Sequence, residues 1–341
     1  MLKISPLLIM IIIFIFPISA LANKLGGDSY TFLKLPPGAR AIGLGNAFLA
    51  IADDATAIYW NPAGITQLST KEATFMSSLG GNSELENKYI YFSIVYPIDF
   101  SPMVEEKIGF SLINYSIDNI KKTTRDNFGN LVRLGEFDNK ENALIFCYSR
   151  EIFKNLLSAG ANIKYMRHKF DTYLGNGIGL DIGLLANVSN IFNRGVDRPI
   201  LKIARDVKMG FCIISNFPKK WETGHKDNGS LISKIGLSFK VMDTENLTWT
   251  NAIVLEQGNA KSMIAFLGTE VWLYDKLIAL RAGIDNWYVE SRYPEVTLTQ
   301  LNHSRKFSLG LGTNLNLFQI DYGVLFGRLE TKHYISMSMR F

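Results

Sequence analysis

The sequence predicts an all-β protein: a transmembrane antiparallel β-barrel of about 14 strands, with a small, partly helical N-terminal plug in its lumen. Three observations carry this reading. An export signal opens the chain. From about Lys71 onward, segments of roughly ten residues alternate apolar and polar and are separated by turn residues, the pattern of a barrel in a bilayer. Between the two lies Gly38 to Gly64, a small-residue-rich stretch that does not alternate.

Met1 to Ala22 reads as a cleaved secretory signal. Lys3 supplies the positive end, Leu7 to Phe16 the apolar core, Pro17 its break and Ala20-Leu21-Ala22 the small-x-small cleavage site. The apolar run is too short to cross a bilayer as a helix. No cysteine follows it, so it is not a lipoprotein signal. Aromatic content of 12% and charge of 20% exclude a disordered chain and a helical membrane protein. The net charge of +5 is modest and the basic residues are scattered, so nucleic acid is not an expected partner. The expected division is a signal at 1–22, a plug at 23–70 and a barrel at 71–341.

Gly38 to Gly64 is short of polar residues apart from Arg40, Asn46, Asn61 and the pair Asp53-Asp54, and it closes on the turn signal Trp60-Asn61-Pro62-Ala63-Gly64. Gly43-Leu44-Gly45-Asn46-Ala47-Phe48 superficially matches a dinucleotide-binding loop. It lacks the third glycine, the preceding buried strand and the following βαβ unit. Small residues that let a backbone lie against a wall are the better account.

The strand candidates, in order, are Glu72–Leu79, Lys88–Ile98, Lys107–Ile117, Glu141–Glu151, Leu156–His168, Gly177–Asn187 and Asp206–Ser215. Leu231–Met242, Leu247–Glu256, Ser262–Val271, Leu277–Trp287, Arg305–Asn314, Asn316–Gly327 and Thr331–Phe341 complete an even set of fourteen. The period of two is clearest late. Phe307, Leu309 and Leu311 oppose Ser308, Gly310 and Gly312, and Ile335, Met337, Met339 and Phe341 oppose Tyr334, Ser336, Ser338 and Arg340. A secreted β-sandwich would alternate too, but two features favour a barrel. The sequence ends on an aromatic strand residue, and glycines such as Gly160, Gly183, Gly283 and Gly323 recur on the polar face, leaving room for bulk from elsewhere. Asp118–Asn139, Ser189–Arg205, Pro218–Ser230 and Tyr288–Ser304 read as long polar loops. Parity places the second of them on the side opposite the others, either as a periplasmic excursion or through a local miscount.

No nucleophile–base pair, metal-ligand spacing or G-x-S-x-G elbow is present, so neither an enzyme nor a metal or cofactor site is expected. Cys147 and Cys212 could pair, although small buried or lipid-facing residues are the simpler reading. Lys164, Asp181, Glu270, Arg281, Asp321 and Arg340 fall on the polar phase of their strands. On the lipid side an Arg or Lys at mid-bilayer costs about 2–4 kcal/mol. They are therefore expected to face the lumen, anchoring the plug through Arg40, Asn46, Asp53, Asp54 and Asn61.

With these pieces placed, the chain resembles the PorV/PorQ family of outer-membrane proteins, relatives of the FadL long-chain fatty-acid transporters. Phe32-Leu33-Lys34-Leu35, Gly38-Ala39-Arg40-Ala41-Ile42-Gly43-Leu44-Gly45-Asn46-Ala47-Phe48, Ala52-Asp53-Asp54-Ala55 and Tyr59-Trp60-Asn61-Pro62-Ala63-Gly64 carry the resemblance. Weaker strand motifs such as Leu280-Arg281-Ala282-Gly283 and Asp321-Tyr322-Gly323 extend it. It implies a 14-stranded FadL-like barrel in the bacterial outer membrane, with the N-terminal segment folded into the lumen. It also implies a role as an accessory barrel for type IX-like secretion and surface attachment, with secreted cargo or secretion-system components as partners beside outer-membrane lipid. The alternative is a FadL-like channel for uptake of hydrophobic small molecules such as long-chain fatty acids. Aromatic residues in or near loops, Phe217, Trp221, Trp287, Tyr288 and Tyr293, suit the alternative.

Overall fold

The structure, a computed structural model, describes residues 30–79, 87–98, 105–192, 205–258, 263–289, 305–328 and 330–341. The expected signal, Tyr293 and most of the 288–304 segment lie outside these residues.

One antiparallel sheet closes on itself. Its strands are β1 (Glu72–Leu79), β2 (Asn87–Ile98), β3 (Glu106–Arg125), β4 (Leu131–Phe153), β5 (Leu157–Phe170), β6 (Tyr173–Asn187) and β7 (Arg205–Asn216). Then come β8 (Lys220–Trp221), β9 (Ser230–Asp243), β10 (Leu247–Gly258), β11 (Ile264–Leu273), β12 (Ile278–Tyr288), β13 (Lys306–Leu315), β14 (Phe318–Phe326) and β15 (Thr331–Arg340). Neighbours in sequence are neighbours in space, except that β7 pairs with β9. The two-residue β8 pairs with the upper end of β6. The ring closes where β1 pairs with β15, Glu72 opposite Arg340 and Leu79 opposite His333. Fourteen strands therefore form the wall. A closed ring satisfies each backbone donor and acceptor inside the bilayer, where water cannot.

The period of two decides which side chain sees lipid. On β13, Phe307, Leu309 and Leu311 are exposed on the outside, and Ser308, Gly310 and Gly312 are buried within. On β15, Ile335, Met337 and Met339 point out, and Tyr334, Ser336 and Ser338 point in. Tyr96, Tyr148 and Trp249 lie on the outer face near one rim, and Phe307, Phe326 and Trp287 near the other, as aromatic girdles do.

Connections at the end holding Glu72 and Arg340 include tight turns at 154–156, 244–246 and 316–317, which marks that end as periplasmic. The sixth wall strand ends at Asn187 and the seventh begins at Arg205, both at this same end, so the strand count is intact there; most of the 189–205 segment lies outside the described residues. It opens with a short helix, Val188–Phe192.

The sequence expectation for 118–139 needs correction. It is not a loop. β3 and β4 run on past the wall as a two-stranded ribbon, paired from Ile120 opposite Phe137 to Arg125 opposite Leu131, with a five-residue turn at 126–130. Both faces of the ribbon meet solvent, so the alternation that marks a strand in a bilayer is lost there. Pro218–Ser230 likewise holds β8, and Trp287 and Tyr288 end β12 rather than lying in a loop.

Residues 30–70 thread the lumen. They form a 3-10 turn at Thr31–Lys34, short helices at Ala39–Gly43 and Ala57–Trp60, and a 3-10 stretch at Pro62–Gln67 with Pro62 in its first turn. The core of the protein is the boundary between this segment and the inner wall. Phe48 and Trp60 pack edge to face against each other. Ile42, Ile58 and Ile65 are fully buried against wall residues such as Met76, Ile113 and Ile145.

Candidate functional site: the seated plug and the cavity above it

The plug lies close because wall glycines leave space for it. A methyl group on Gly43 would sit 2.9 Å from the Gly310 Cα, and one on Gly283 would sit 2.2 Å from the Gly45 nitrogen. Gly45 itself has φ +59°, in the region that favours glycine, and Asn46 follows at φ +64°. Two left-handed residues in succession reverse the chain after helix Ala39–Gly43.

Arg40 lies at the centre of the plug's polar contacts. Its Nε and Nη2 donate to Glu270 Oε2 and Oε1 at 2.9 and 2.8 Å. Its Nη1 donates to Asp53 at 2.6 Å and to Asp54 at 3.5 Å. From Glu270 the contacts continue round the wall. Arg281 Nε donates to Glu270 at 2.6 Å and Arg281 Nη1 to Asp321 at 2.8 Å. Gln319 donates to Asp321 at 2.8 Å, Arg340 Nη2 to Gln319 at 2.9 Å and Arg340 Nε to Glu72 at 3.0 Å. Glu72 then accepts from the backbone N–H of Ala55, back in the plug, at 2.8 Å. The chain of bonds leaves the plug at Arg40, crosses β11, β12, β14, β15 and β1, and returns at Ala55. Its three guanidiniums face three wall carboxylates, and Asp53 of the plug adds a fourth on Arg40. Burial pushes the Asp54 carboxyl up to about 7. Thr56 holds it through backbone N–H and hydroxyl donors.

Asn61 caps Pro62–Gln67 by accepting from Ala63 N–H, and its amide donates to Leu49 O in the plug and Leu184 O in β6, both at 3.1 Å. Lys164 and Asp181 pair with each other at 2.6 Å, and among the described residues no ion pair joins either to Arg40, Asp53 or Asp54 of the plug. Their link to it is Asn162, whose amide donates to Asp181 at 3.0 Å and to Ile58 O at 2.7 Å. Asn46 lies beside Asp285 of β12. Cys147 and Cys212 are both buried and free.

Sequence reasoning missed Glu72, Asn162, Asp285, Lys234 and Glu256, and the link from Lys208 to Gln67 at 2.7 Å. The missing signal was register. Lys234 and Glu256 are opposite one another on β9 and β10, as Glu270 and Arg281 are on β11 and β12. Either pair is visible in sequence once the hairpin between them is aligned.

Above the plug, at the extracellular half, a cavity of ≈ 420 Å³ opens. Its floor is the plug: Leu33, Leu35, Leu49, Tyr59 and Trp60. Tyr59 donates to Leu33 O at 2.6 Å, and its phenol, desolvated there, is pushed up to about 12. Ile214, Ile232, Val254, Ile264, Phe266 and Leu325 give apolar wall, and the pairs Lys164–Asp181 and Lys234–Glu256 give polar wall. Such mixed concavity, apolar with a few placed polar groups, is the usual form of a small-molecule site.

A closed antiparallel barrel with an apolar outer face, aromatic rims and a polar interior filled by its own N-terminal segment is a bacterial outer-membrane protein. No protein-family model matches the sequence, and no curated protein matches it. Among solved structures, the fold is similar to that of the Pseudomonas putida toluene transporter TodX, with 11% identity, 89% of this chain and 98% of that one covered, and a TM-score of 0.52. It is similar in the same degree to the Ralstonia pickettii toluene transporter TbuX, with 10% identity, 89% and 98% coverage and a TM-score of 0.52. At such identity the likeness is one of fold.

Proposed function

We propose that the protein is an outer-membrane channel for hydrophobic small molecules, closed by its N-terminal segment. Arg40, Asn46, Asp53, Asp54 and Asn61 act as plug anchors, with Lys164, Asp181, Glu270, Arg281, Asp321 and Arg340 as the lumen charges they are seated among. The observation that carries the reading is the cavity of ≈ 420 Å³, whose floor is made by the plug. A solute held there could pass only if residues 30–70 shift. The fold shared with two toluene transporters supports this reading better than the secretion-accessory role implied by the PorV/PorQ resemblance.

The test is uptake. Cells producing the protein should take up a radiolabelled monoaromatic hydrocarbon or long-chain fatty acid faster than cells lacking it. Equal uptake, together with specific proteins missing from the surface of the deletion strain and trapped in the periplasm, would replace this reading with the secretion role.

A further inference from the structure

The outer surface changes character on β4 and β5 as those strands rise to the extracellular rim. Four successive cross-strand pairs face outwards there: Phe146 opposite Ile163, Leu144 opposite Tyr165, Asn142 opposite Arg167 and Lys140 opposite Lys169. The first two pairs are apolar and exposed, as a wall against acyl chains must be. The next two carry three cations within two steps of the ladder. Lys88 on β2 joins the same row, because Ser116 on β3 pairs with Lys88 on one side and with Lys140 on the other. Lys88, Lys140, Arg167 and Lys169 are all exposed.

The protein does not balance these charges. Lys140 pairs with Asp138 at 2.9 Å and Lys88 with Asp118 at 3.3 Å. Among the described residues no ion pair holds Arg167 or Lys169, and Lys169 shares the field of Asp138 with Lys140. Four cations therefore face two carboxylates. Like charges directly opposite one another in a ladder, with Cβ atoms about 5 Å apart, are destabilising. Lys140 opposite Lys169 is such a pair, and an anion lying between them would remove the cost. One step below, Asn142 accepts from the Asn114 amide, which leaves Arg167 as the donor to be met at that level.

We propose that this face holds the phosphate groups of the glycolipid in the outer leaflet of the outer membrane. Position selects a lipid over free phosphate. The cations stand directly above the apolar pair Leu144 and Tyr165. One molecule can lay acyl chains on that strip and bring its phosphates to Arg167, Lys140 and Lys169. The Arg167 guanidinium offers paired donors to a phosphate, and the lysines add point charge. The site lies outside the barrel and is independent of what passes through the lumen.

The experiment uses the full-length protein in neutral detergent with EDTA present, so that no divalent cation bridges a phosphate to Asp118 or Asp138. Bisphosphoryl lipid A and phosphatidylethanolamine are titrated separately, bound lipid is counted by native mass spectrometry, and inorganic phosphate serves as competitor. Lipid A should bind about ten-fold or more tightly than phosphatidylethanolamine, and its affinity should fall as salt rises. The double variant Lys140→Gln, Lys169→Gln should weaken lipid A binding about ten- to thirty-fold, the loss expected for two basic groups at an anionic lipid surface. Urea unfolding gives a second readout. Without lipid the double variant should be at least as stable as the wild type, because the opposed like charges are gone. With lipid A the wild type should be the more stable. Equal binding of the two lipids, or wild-type affinity for lipid A in the double variant, overturns the assignment. Inorganic phosphate that displaces lipid A at equal concentration overturns it too, since a free anion would then be the ligand. A double variant less stable than the wild type without lipid would mean that Asp118 and Asp138 already neutralise the lysines, and this also overturns it.

Discussion

Arg40 and Glu270 meet through two parallel hydrogen bonds, Nε to Oε2 at 2.9 Å and Nη2 to Oε1 at 2.8 Å, with the Glu270 side chain almost wholly buried. The fork-to-fork geometry is the strong form of a charge-assisted pair. It is also a direct bond between the plug and the middle of the wall.

Glu270 serves two guanidiniums, because Arg281 also donates to it at 2.6 Å. Glu270→Gln takes a carboxylate from two buried guanidiniums at once, leaving Arg40 to Asp53 and Asp54 and Arg281 to Asp321, whereas Arg40→Met would leave Glu270 still paired with Arg281 and would strand only Asp54 and the part-exposed Asp53. Removing one partner of a buried pair costs about 3–5 kcal/mol, and Glu270→Gln should reach that range while Arg40→Met falls below it. Protease sensitivity of residues 30–70 in the assembled barrel, and small-solute leakage through reconstituted protein, should both rise more for Glu270→Gln. The reverse order would mean that Arg40 matters for something other than this bond.

Glycine substitutions separate space from conformation. Gly45→Ala meets two obstacles, a methyl group 2.5 Å from the Ile284 nitrogen and φ +59°. Gly43→Ala meets one, the Gly310 Cα at 2.9 Å. Both should loosen the plug and raise permeability to small solutes, Gly45→Ala more strongly. Heat-modifiable migration on a gel checks that the barrel still assembles. An assembled Gly45→Ala protein with unchanged permeability would remove the close fit of the plug from the account of how the pore is closed.

The wall was legible in sequence because a bilayer imposes a period of two. Phe307 and Ser308 cannot exchange faces without placing a polar group in lipid, and so all fourteen wall strands could be read within a few residues. Where that constraint ends, legibility ends. The ribbon from Ile120 to Phe137 looked like a loop because water lies on both its faces. Individual charges such as Lys164 and Glu270 could be placed on the polar phase. Which of them meet depends on strand register, so Lys234 with Glu256 went unseen. Asp285 was hidden for a further reason. It lies beside a bulge, a local exception to the very period used to read the strand.

Lys164 and Asp181 test whether an ion pair in the cavity wall is structural. Their side chains are 3% and 5% exposed and 2.6 Å apart. Asp181→Ala strands the lysine, and Lys164→Ala strands the carboxylate, so each should destabilise the fold by about 3–5 kcal/mol. The double variant Lys164→Met, Asp181→Leu should recover most of the loss, because a well-packed apolar pair often replaces a buried ion pair at little cost. Unfolding in urea from nanodiscs gives the three values. A double variant as unstable as the singles would mean that the charges are needed by something besides each other, with Asn162 the first candidate.

Asp54 makes the seating of the plug depend on pH. Burial raises its carboxyl to about 7, from an unfolded value near 4. The folded plug therefore holds the proton more tightly than the released segment does. The contribution is complete below about pH 4 and declines as pH rises through 7, by at most about 1.4 kcal/mol per pH unit. Arg40, 3.5 Å away, favours the charged form, while Asp53 and Glu72 oppose it. Amide hydrogen exchange across residues 30–70 should thus be slower at pH 5.5 than at pH 8, after correction for the intrinsic exchange rate. Asp54→Asn keeps an oxygen for the Thr56 donors and has no proton to lose, so it should flatten that dependence. Protection that grows with pH, or an Asn variant with the wild-type slope, would show that another group sets the response.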